Sequence, residues 1–204
     1  MGKIIVNKLL IATNNQGKVT EYRSLLNCVP WELLTPAGLG LTLDVAETGD
    51  TYEDNARLKA SALAKSSGLI TLADDSGLEV EALNGEPGLR SARYAGEGAS
   101  DAQKVAYLLE KLKQVAPEKR SARFVCVIAL AWPDGRLNFC RGECRGSIIA
   151  SPRGEGGFGY DPIFYFPELK QTMAELPPET KNSISHRARA AQEACKILSA
   201  LPEG

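Results

Sequence analysis

Two adjacent carboxylates, Asp74 and Asp75, are the strongest candidates for chemistry in this chain. They follow a short apolar run at residues 69–73, which predicts a buried strand, and they precede the turn signal Ser76-Gly77. Carboxylates at the carboxyl end of a strand can bind Mg²⁺ or activate water, because the ligand crevices of α/β sheets open there. Since side chains alternate along a strand, we expect only one of the two to face a given site. A merely solvated turn is the alternative interpretation.

A lysine stands where a helix should begin. The stretch Asn15-Gln16-Gly17-Lys18 lies between an apolar run at residues 9–12 and a helical pattern at residues 19–26. A cation there opposes the helix macrodipole, unless an anion binds to the N–H groups of the helix start. This is not a Walker A motif, because Val19 stands where the Mg²⁺-binding Ser or Thr should follow the lysine. An ordinary strand-to-helix turn, with Lys18 in water, is the alternative.

The last predicted helix repeats this charge pattern. His186, Arg187 and Arg189 occupy its first turns, and Lys181 lies just upstream. Two such helix starts indicate a polyanionic ligand, whereas a solvated basic face is the alternative. If the cations serve a ligand, they should locally destabilise the empty protein.

Three other stretches could contribute to the same site. Glu47 offers a second hard oxygen ligand for Mg²⁺, which typically takes one or two protein carboxylates and leaves the rest to water and substrate phosphates. Lys59 lies four residues after Asn55, on one face of a helix predicted at residues 52–66, and could reach the anion. An aromatic pair beside a carboxylate, in the stretch at residues 158–161, suits a flat heterocycle. The alternative for Lys59 is a surface lysine, and the alternative for residues 158–161 is packing in the core.

Composition excludes some functions. The chain has 204 residues, 24 basic and 25 acidic, with a net charge of −1. That balance argues against a general nucleic-acid binder. No apolar stretch reaches membrane-spanning length. We therefore expect a soluble cytoplasmic protein without nucleic-acid or membrane partners. The five cysteines predict reduced thiols, and Cys140 with Cys144 gives only a weak indication of zinc because one histidine is present.

The order of predicted elements favours an α/β protein with a mixed sheet. Strands are predicted at residues 4–6, 9–12, 69–73 and 78–82, and a hairpin at residues 124–144. Helices are predicted at residues 19–26, 52–66 and 101–115, and from Ser183 or Ser185 to about residue 201. Without a repeat or an obvious linker, residues 1–204 are interpreted as a single domain.

Taken together, these stretches resemble a known family. The chain closely resembles the inosine triphosphate pyrophosphatases, which clear non-canonical purine nucleotides. The matching stretches occur in the family's order over almost the whole chain: ATNNQGK, ETGDTYEDNARLKA, LADDSGLEVEALNGEPGLRSARYAG, GEGGFGYDPIF and ELPPETKNSISHRARA. The family's loop more often begins with Ser- or Thr-Gly-Asn, so Asn14 is a small departure at a loop position.

The resemblance implies a fold, a reaction and an assembly. The fold would be a long mixed twisted sheet, flanked by helices in two lobes with a nucleotide cleft between them, and the protein would be a homodimer. The reaction would be Mg²⁺-dependent hydrolysis of inosine, deoxyinosine or xanthosine triphosphate to the monophosphate and pyrophosphate.

The resemblance also implies residue roles. Asp75 would be the general base, and Glu47 with Asp75 would hold Mg²⁺. The Arg187 guanidinium would favour a 6-keto oxygen, because adenine offers only donors at that position. The implied substrate-binding residues are Thr13, Asn14, Asn15, Gln16, Gly17 and Lys18 for the phosphates, Lys59, Ser76 and Lys181 elsewhere on the substrate, and Phe158, Gly159, Tyr160, Asp161, His186 and Arg187 around the base.

Two alternatives to this function stay open. One is a pyrophosphatase for modified pyrimidine nucleotides, and the other is a non-catalytic nucleotide-binding protein. The presence of both Glu47 and Asp75 favours catalysis, since a sensor needs no base to activate water.

Overall fold

The structure is a computed structural model that describes residues 7–42 and 45–201. In these two described ranges, seven strands form one sheet in the spatial order β2-β1-β3-β4-β5-β6-β7. The strands are β1 (Lys8–Ile11), β2 (Glu32–Leu34), β3 (Ile70–Val80), β4 (Ser121–Ala131), β5 (Leu137–Ile148), β6 (Phe164–Phe166) and β7 (Gln171–Thr172). The strand predicted at residues 4–6 lies outside the described residues.

The sheet is mixed, as predicted. Strand β1 pairs in parallel with β2 and with β3, whereas β6 pairs antiparallel with both β5 and β7. The β1–β3 register aligns Leu9 with Ile70 and Ile11 with Leu72. The α/β fold class is confirmed, and the nucleotide cleft between two lobes stays a prediction.

Within the described residues, five α-helices accompany the sheet: α1 (Gln16–Leu25), α2 (Tyr52–Ser67), α3 (Asp101–Lys111), α4 (Pro178–Ile184) and α5 (His186–Ser199). Local signals define the ends of α2, where the Thr51 side chain accepts a hydrogen bond from the Asp54 N–H and Gly68 follows in the left-handed conformation. Helix α3 begins at a capping box formed by Ser100 and Gln103.

The chain folds into two compact units, and each has its own apolar core. Unit 1 comprises the described residues up to Asp75, Cys126–Gly142, and the described residues from Arg187 onward. Its core packs β1, α1 and α5 side chains such as Leu9, Tyr22 and Leu198. Unit 2 comprises Ser76–Val125 and Glu143–His186, and its core includes Val105 of α3. The single domain proposed for residues 1–204 stays a prediction.

The predicted end of the strand at residues 69–73 is wrong. The Asp74-Asp75-Ser76-Gly77 stretch is not a turn, because β3 continues through it from Ile70 to Val80. The hydrophobic pattern located this strand, while tertiary pairing set its limits. The final helix, predicted to begin at Ser183 or Ser185, is α5, which follows Ser185 directly. Helix α4 was not predicted, and it ends where Ser185 adopts extended backbone.

A disulfide joins Cys28 to Cys195 within unit 1, so the prediction that all five cysteines are reduced is wrong for this pair. The Cα atoms of the two residues lie 6.2 Å apart, within the usual range for a bridge. Cys126, Cys140 and Cys144 are buried thiols. In the described part of the chain, no group of three or more His, Cys, Asp or Glu side chains could hold a metal ion, which gives the zinc interpretation no support.

None of the helices in the described part of the chain has the length and apolar character needed to cross a membrane.

Candidate active site

The predicted anion loop adopts the expected strand–loop–helix geometry in unit 1. Strand β1 ends at Ile11, and α1 begins at Gln16 with Asn15 as its N-cap, whose side chain accepts a hydrogen bond from the Lys18 N–H at 3.1 Å. The Asn15 N–H donates to Thr13 Oγ1. Because the first N–H groups of a helix lack partners within the helix, this loop can bind an anion.

The anion that Lys18 faces in this structure belongs to the protein itself. Lys18 Nζ lies 2.9 Å from Asp74 Oδ2, and only 1% of the Asp74 side chain is exposed. Arg187 at the start of α5 binds the same oxygen at 3.4 Å and Glu21 Oε2 at 2.7 Å. The two cations at helix starts therefore converge on one buried aspartate.

This convergence fixes the charge of Asp74. Burial alone would raise the pKa of its carboxyl, but Lys18, Arg187 and Lys59 hold that pKa well below its usual range. The pKa of the Arg187 guanidinium lies above its usual range: burial opposes the charged form, and Asp74 and Glu21 outweigh it. The nearby Cys126 thiol, which is buried next to Asp74, has its pKa raised to about 12 and stays protonated.

Asp75 has different surroundings, as the alternation along β3 requires. Its Oδ2 accepts a hydrogen bond from Asn55 Nδ2 at 3.0 Å, and burial raises its pKa above the ordinary value. Lys59, one turn after Asn55 on α2, donates to Glu47 Oε1 at 2.6 Å and to the Asp74 carbonyl at 2.8 Å. The predicted shared face of Asn55 and Lys59 is confirmed, and Lys59 is buried rather than a surface lysine.

Glu47 and Asp75 fit a divalent hard cation by the chemistry of their donor atoms. Both interact electrostatically with Lys59, and the charge of Glu47 contributes to raising the pKa of Asp75, so the two carboxylates are near neighbours. Mg²⁺ prefers one or two carboxylates and completes its coordination with water and phosphate oxygens. A cation would relieve the repulsion between these two groups.

A second group of predicted residues comes together within unit 2. Asp161 Oδ2 accepts hydrogen bonds from Lys181 Nζ at 2.6 Å and from the Phe158 N–H at 2.9 Å. Lys181 also lies over the Phe158 ring, 5.1 Å from its centroid. An ammonium, a carboxylate and an aromatic face thus form one cluster at the glycine-rich loop. Gly157 is required there, because a Cβ at this position would collide with Asp161 Oδ2.

The remaining predicted residues are held by other parts of unit 2. Tyr160 is buried and donates its hydroxyl hydrogen to the Ser91 carbonyl, and the Gly159 N–H donates to Asp101 Oδ2. His186 is buried and stacks on Phe124, with ring centroids 4.6 Å apart. Ser76 is partly buried on β3.

Sequence reasoning placed His186 and Arg187 together at the base, but the structure assigns them to different units. The described ion pairs of Arg187 go to Glu21 and Asp74, and its contact with the base stays a prediction. Glu21 was not anticipated as a member of the site. Its position three residues after Lys18, on the same face of α1, is the signal that could have identified it.

Comparisons with known proteins identify the family of this chain. The model of the Ham1 family matches residues 9–197. A dITP/XTP pyrophosphatase of Desulforamulus reducens is 50% identical over 194 residues, which is 95% of this chain and 96% of that protein.

Solved structures of Ham1 proteins are also similar to this chain. The Ham1 protein of Staphylococcus aureus is 45% identical with a TM-score of 0.84, covering 95% of this chain and 98% of that one. A HAM1 protein of Coxiella burnetii is 41% identical with a TM-score of 0.87, covering 96% of this chain and 100% of that one. The family resemblance found in the sequence is confirmed, and this chain belongs to the Ham1 family.

Proposed function

We propose that this protein hydrolyses non-canonical purine nucleoside triphosphates, such as ITP, dITP and XTP, to the monophosphate and pyrophosphate. The observation that carries the proposal is the contrast between the two adjacent aspartates: Asp74 is held ionised by Lys18 and Arg187, whereas the pKa of Asp75 is raised by burial. Pairs of carboxylates with divergent pKa values are typical of acid–base sites. The dITP/XTP pyrophosphatase relative named above supports the substrate class.

In the proposed reaction, Asp75 accepts a proton from a water molecule whose oxygen attacks the α-phosphorus. The bond between that phosphorus and the oxygen bridging to the β-phosphate breaks, and pyrophosphate leaves. A raised pKa suits this role, since a base works best when its pKa is near the working pH. Asn55 orients the carboxylate through the hydrogen bond to Oδ2.

The phosphates are proposed to bind at residues 13–18, where the N-terminus of α1 supplies N–H donors and Lys18 supplies positive charge. Glu47 and Asp75 would hold Mg²⁺, and a bound Mg²⁺ supplies Lewis-acid stabilisation of the phosphate charge. Lys59, bonded to Glu47 and the Asp74 carbonyl, fixes the position of both carboxylate-bearing segments.

The base is proposed to bind on Phe158, beside Lys181 and Asp161. The ring supplies a flat apolar face, and the charged pair supplies donors and acceptors at its edge. The resemblance to the family also supports a homodimer, which light scattering coupled to size-exclusion chromatography would test.

The decisive experiment incubates the protein and Mg²⁺ with ITP, dITP, XTP, ATP, GTP and modified pyrimidine triphosphates, and measures pyrophosphate and phosphate separately. We expect pyrophosphate from ITP, dITP and XTP and little turnover of the canonical ATP and GTP. Single phosphate as the product would indicate attack at the terminal phosphorus and would refute the proposal. Binding without turnover would favour a sensor instead.

A further inference from the structure

The glycine-rich loop in unit 2 is anchored firmly along its first half. Gly156 N–H donates to the Ala174 carbonyl at 3.0 Å, and Cβ atoms at Gly154 or Gly156 would collide with the Ala174 backbone. At Gly157 a Cβ would meet Asp161. The three glycines at positions 154, 156 and 157 therefore lie too close to their neighbours to carry side chains.

The second half of the loop has a different kind of support. Gly159 has a φ of +64°, and a Cβ built there would have no neighbour within 4 Å, so side-chain packing does not hold this residue. Its N–H donates instead to Asp101 Oδ2 at 2.7 Å, across 58 positions of sequence. The distance is short for an N–H···O bond, as expected for a charged acceptor.

Asp101 is itself fixed in place. It is the first residue of α3, directly after the N-cap Ser100, and its other oxygen binds Lys104 Nζ at 2.6 Å. A carboxylate at a helix start is favourable in its own right, which is the plain structural explanation for an aspartate here. The bond to Gly159 is not part of that explanation, because Ser100 and Gln103 already complete the cap.

We propose that Asp101 is a positioning residue for the nucleobase: it holds Gly159, and through it the adjacent Phe158, in the orientation that receives the base. This inference rests on the proposed function, since Phe158 is the aromatic face assigned to the base. Asp101 touches neither the substrate nor the reacting phosphorus. Its loss should therefore weaken substrate binding more than it slows the chemical step.

The test compares Asp101→Ala and Asp101→Asn with Ser100→Ala as the matched control. Ser100→Ala weakens the start of α3, because it removes the Ser100 Oγ acceptor of the Gln103 N–H, but it leaves Gly159 untouched. Asp101→Asn keeps an acceptor oxygen for Gly159. Steady-state kinetics with ITP and hydrogen exchange of loop peptides covering residues 154–160 supply two independent readouts.

For Asp101→Ala we expect KM for ITP to rise about tenfold with kcat changed less than about twofold, and exchange of the loop to quicken about tenfold. Asp101→Asn should restore most of both properties. Ser100→Ala should lower the melting temperature while KM and loop exchange stay at wild-type values. The inference is overturned if Asp101→Ala and Ser100→Ala behave alike, or if Asp101→Ala lowers kcat with KM unchanged.

The exchange readout separates this inference from the proposed function, because it needs no substrate. If the wild-type protein released no pyrophosphate from ITP, the proposed function would fail. KM for ITP could then not be measured, and hydrogen exchange of the loop would alone decide the role of Asp101. Loop exchange that is equal in Asp101→Ala and wild type would refute the positioning role whatever the reaction proves to be.

Discussion

The two aspartates of β3 differ in what neutralises them. Asp74 has three cations around a carboxylate that is almost fully buried, and its folded pKa lies below that of an unfolded chain. Asp75 has an amide partner and a neighbouring Glu47, and its folded pKa lies above that of an unfolded chain. The ionised form of Asp74 stabilises the fold, whereas the ionised form of Asp75 costs free energy until a cation or a proton arrives.

Replacing each aspartate by asparagine should separate catalysis from stability. Asp75→Asn should lower turnover about a hundredfold to ten-thousandfold, because a positioned base is lost, and should leave the melting temperature equal or higher. Asp74→Asn should lower the melting temperature clearly, because Lys18 loses the ion pair with Asp74 and the buried Arg187 keeps only Glu21. Kinetics and thermal melts of both variants check this. If Asp74→Asn proved the more damaging to turnover in a fully folded protein, the assignment of the base would be wrong.

Lys18 should stabilise the empty protein, contrary to what its place at a helix start indicates. Lys18→Gln removes a charged bond to buried Asp74 and should cost roughly 1–3 kcal/mol of unfolding free energy. The control is Lys8→Gln, which removes a pair with Glu32 whose side chains are both about half exposed and should cost about 0–1 kcal/mol. Urea unfolding without nucleotide measures both. An equal loss of unfolding free energy in the two variants would show that the Lys18–Asp74 pair stabilises the fold no more than the exposed Lys8–Glu32 pair.

The same network predicts an acid dependence. The folded pKa of Asp74 is depressed, so its contribution is complete above the unfolded pKa of about 4 and is lost as pH falls further toward the folded pKa. The stability difference between wild type and Asp74→Asn should be constant from pH 5 to 7, on the order of the loss at neutral pH, and should shrink below about pH 4. Unfolding curves across that range provide the measurement. A gap that is independent of pH would contradict the ion-pair origin.

At the scale of elements, we expect the glycine-rich loop to need the absence of a side chain at Gly157 more than the positive φ of that residue. Gly157→Ala drives a Cβ into Asp161 and toward Lys181, so we expect turnover of ITP to fall more than about tenfold. Gly98→Ala is the matched control, since Gly98 has the same φ of +73° and open space around its Cβ position. Both variants carry a left-handed strain of about 1–2 kcal/mol. Equal losses of turnover would attribute the effect to strain alone.

Elements with local signals could be predicted from the sequence, and elements set by distant contacts could not. The side-chain oxygens of Thr51 and Ser100 accept backbone N–H bonds at helix starts, and Gly68 ends α2 in the left-handed conformation, so the sequence pattern located α2 and the start of α3. Asp74 and Arg187 are 113 residues apart, and nothing in either neighbourhood reveals that they meet. Strand pairing likewise carried β3 through a Ser-Gly that, alone, favours a turn.

At the scale of the molecule, each unit is assembled from separate chain segments, and the Cys28–Cys195 bridge joins the first segment of unit 1 to its last. The bridge connects the chain just beyond α1 with α5, the two helices that bring Lys18 and Arg187 to Asp74. In the chain-entropy description, a bridge restricts the unfolded chain and thereby stabilises the folded one.

Reduction of the Cys28–Cys195 disulfide should therefore lower the stability of the fold, and the buried thiols should play no part in this loss. We expect a reducing agent to lower the unfolding free energy by roughly 2–5 kcal/mol, and Cys28→Ser to reproduce this loss in its absence. Cys140→Ser, at a free buried thiol, should not abolish the sensitivity to reductant. Thiol titration of the denatured protein should find three thiols before reduction and all five afterwards. Five thiols before reduction would show that the bridge does not form.

The bridge spans 167 positions of sequence, so it closes a large covalent ring. Any single protease cut inside the ring yields two polypeptides that the disulfide still joins, so it releases no fragment. A nicked molecule would gain only the mass of one water and would run as a single species on a denaturing gel until the sulfurs were reduced. Mapping of surface loops by limited proteolysis must therefore compare lanes with and without reductant, because a peptide from within the ring is released only after two cuts.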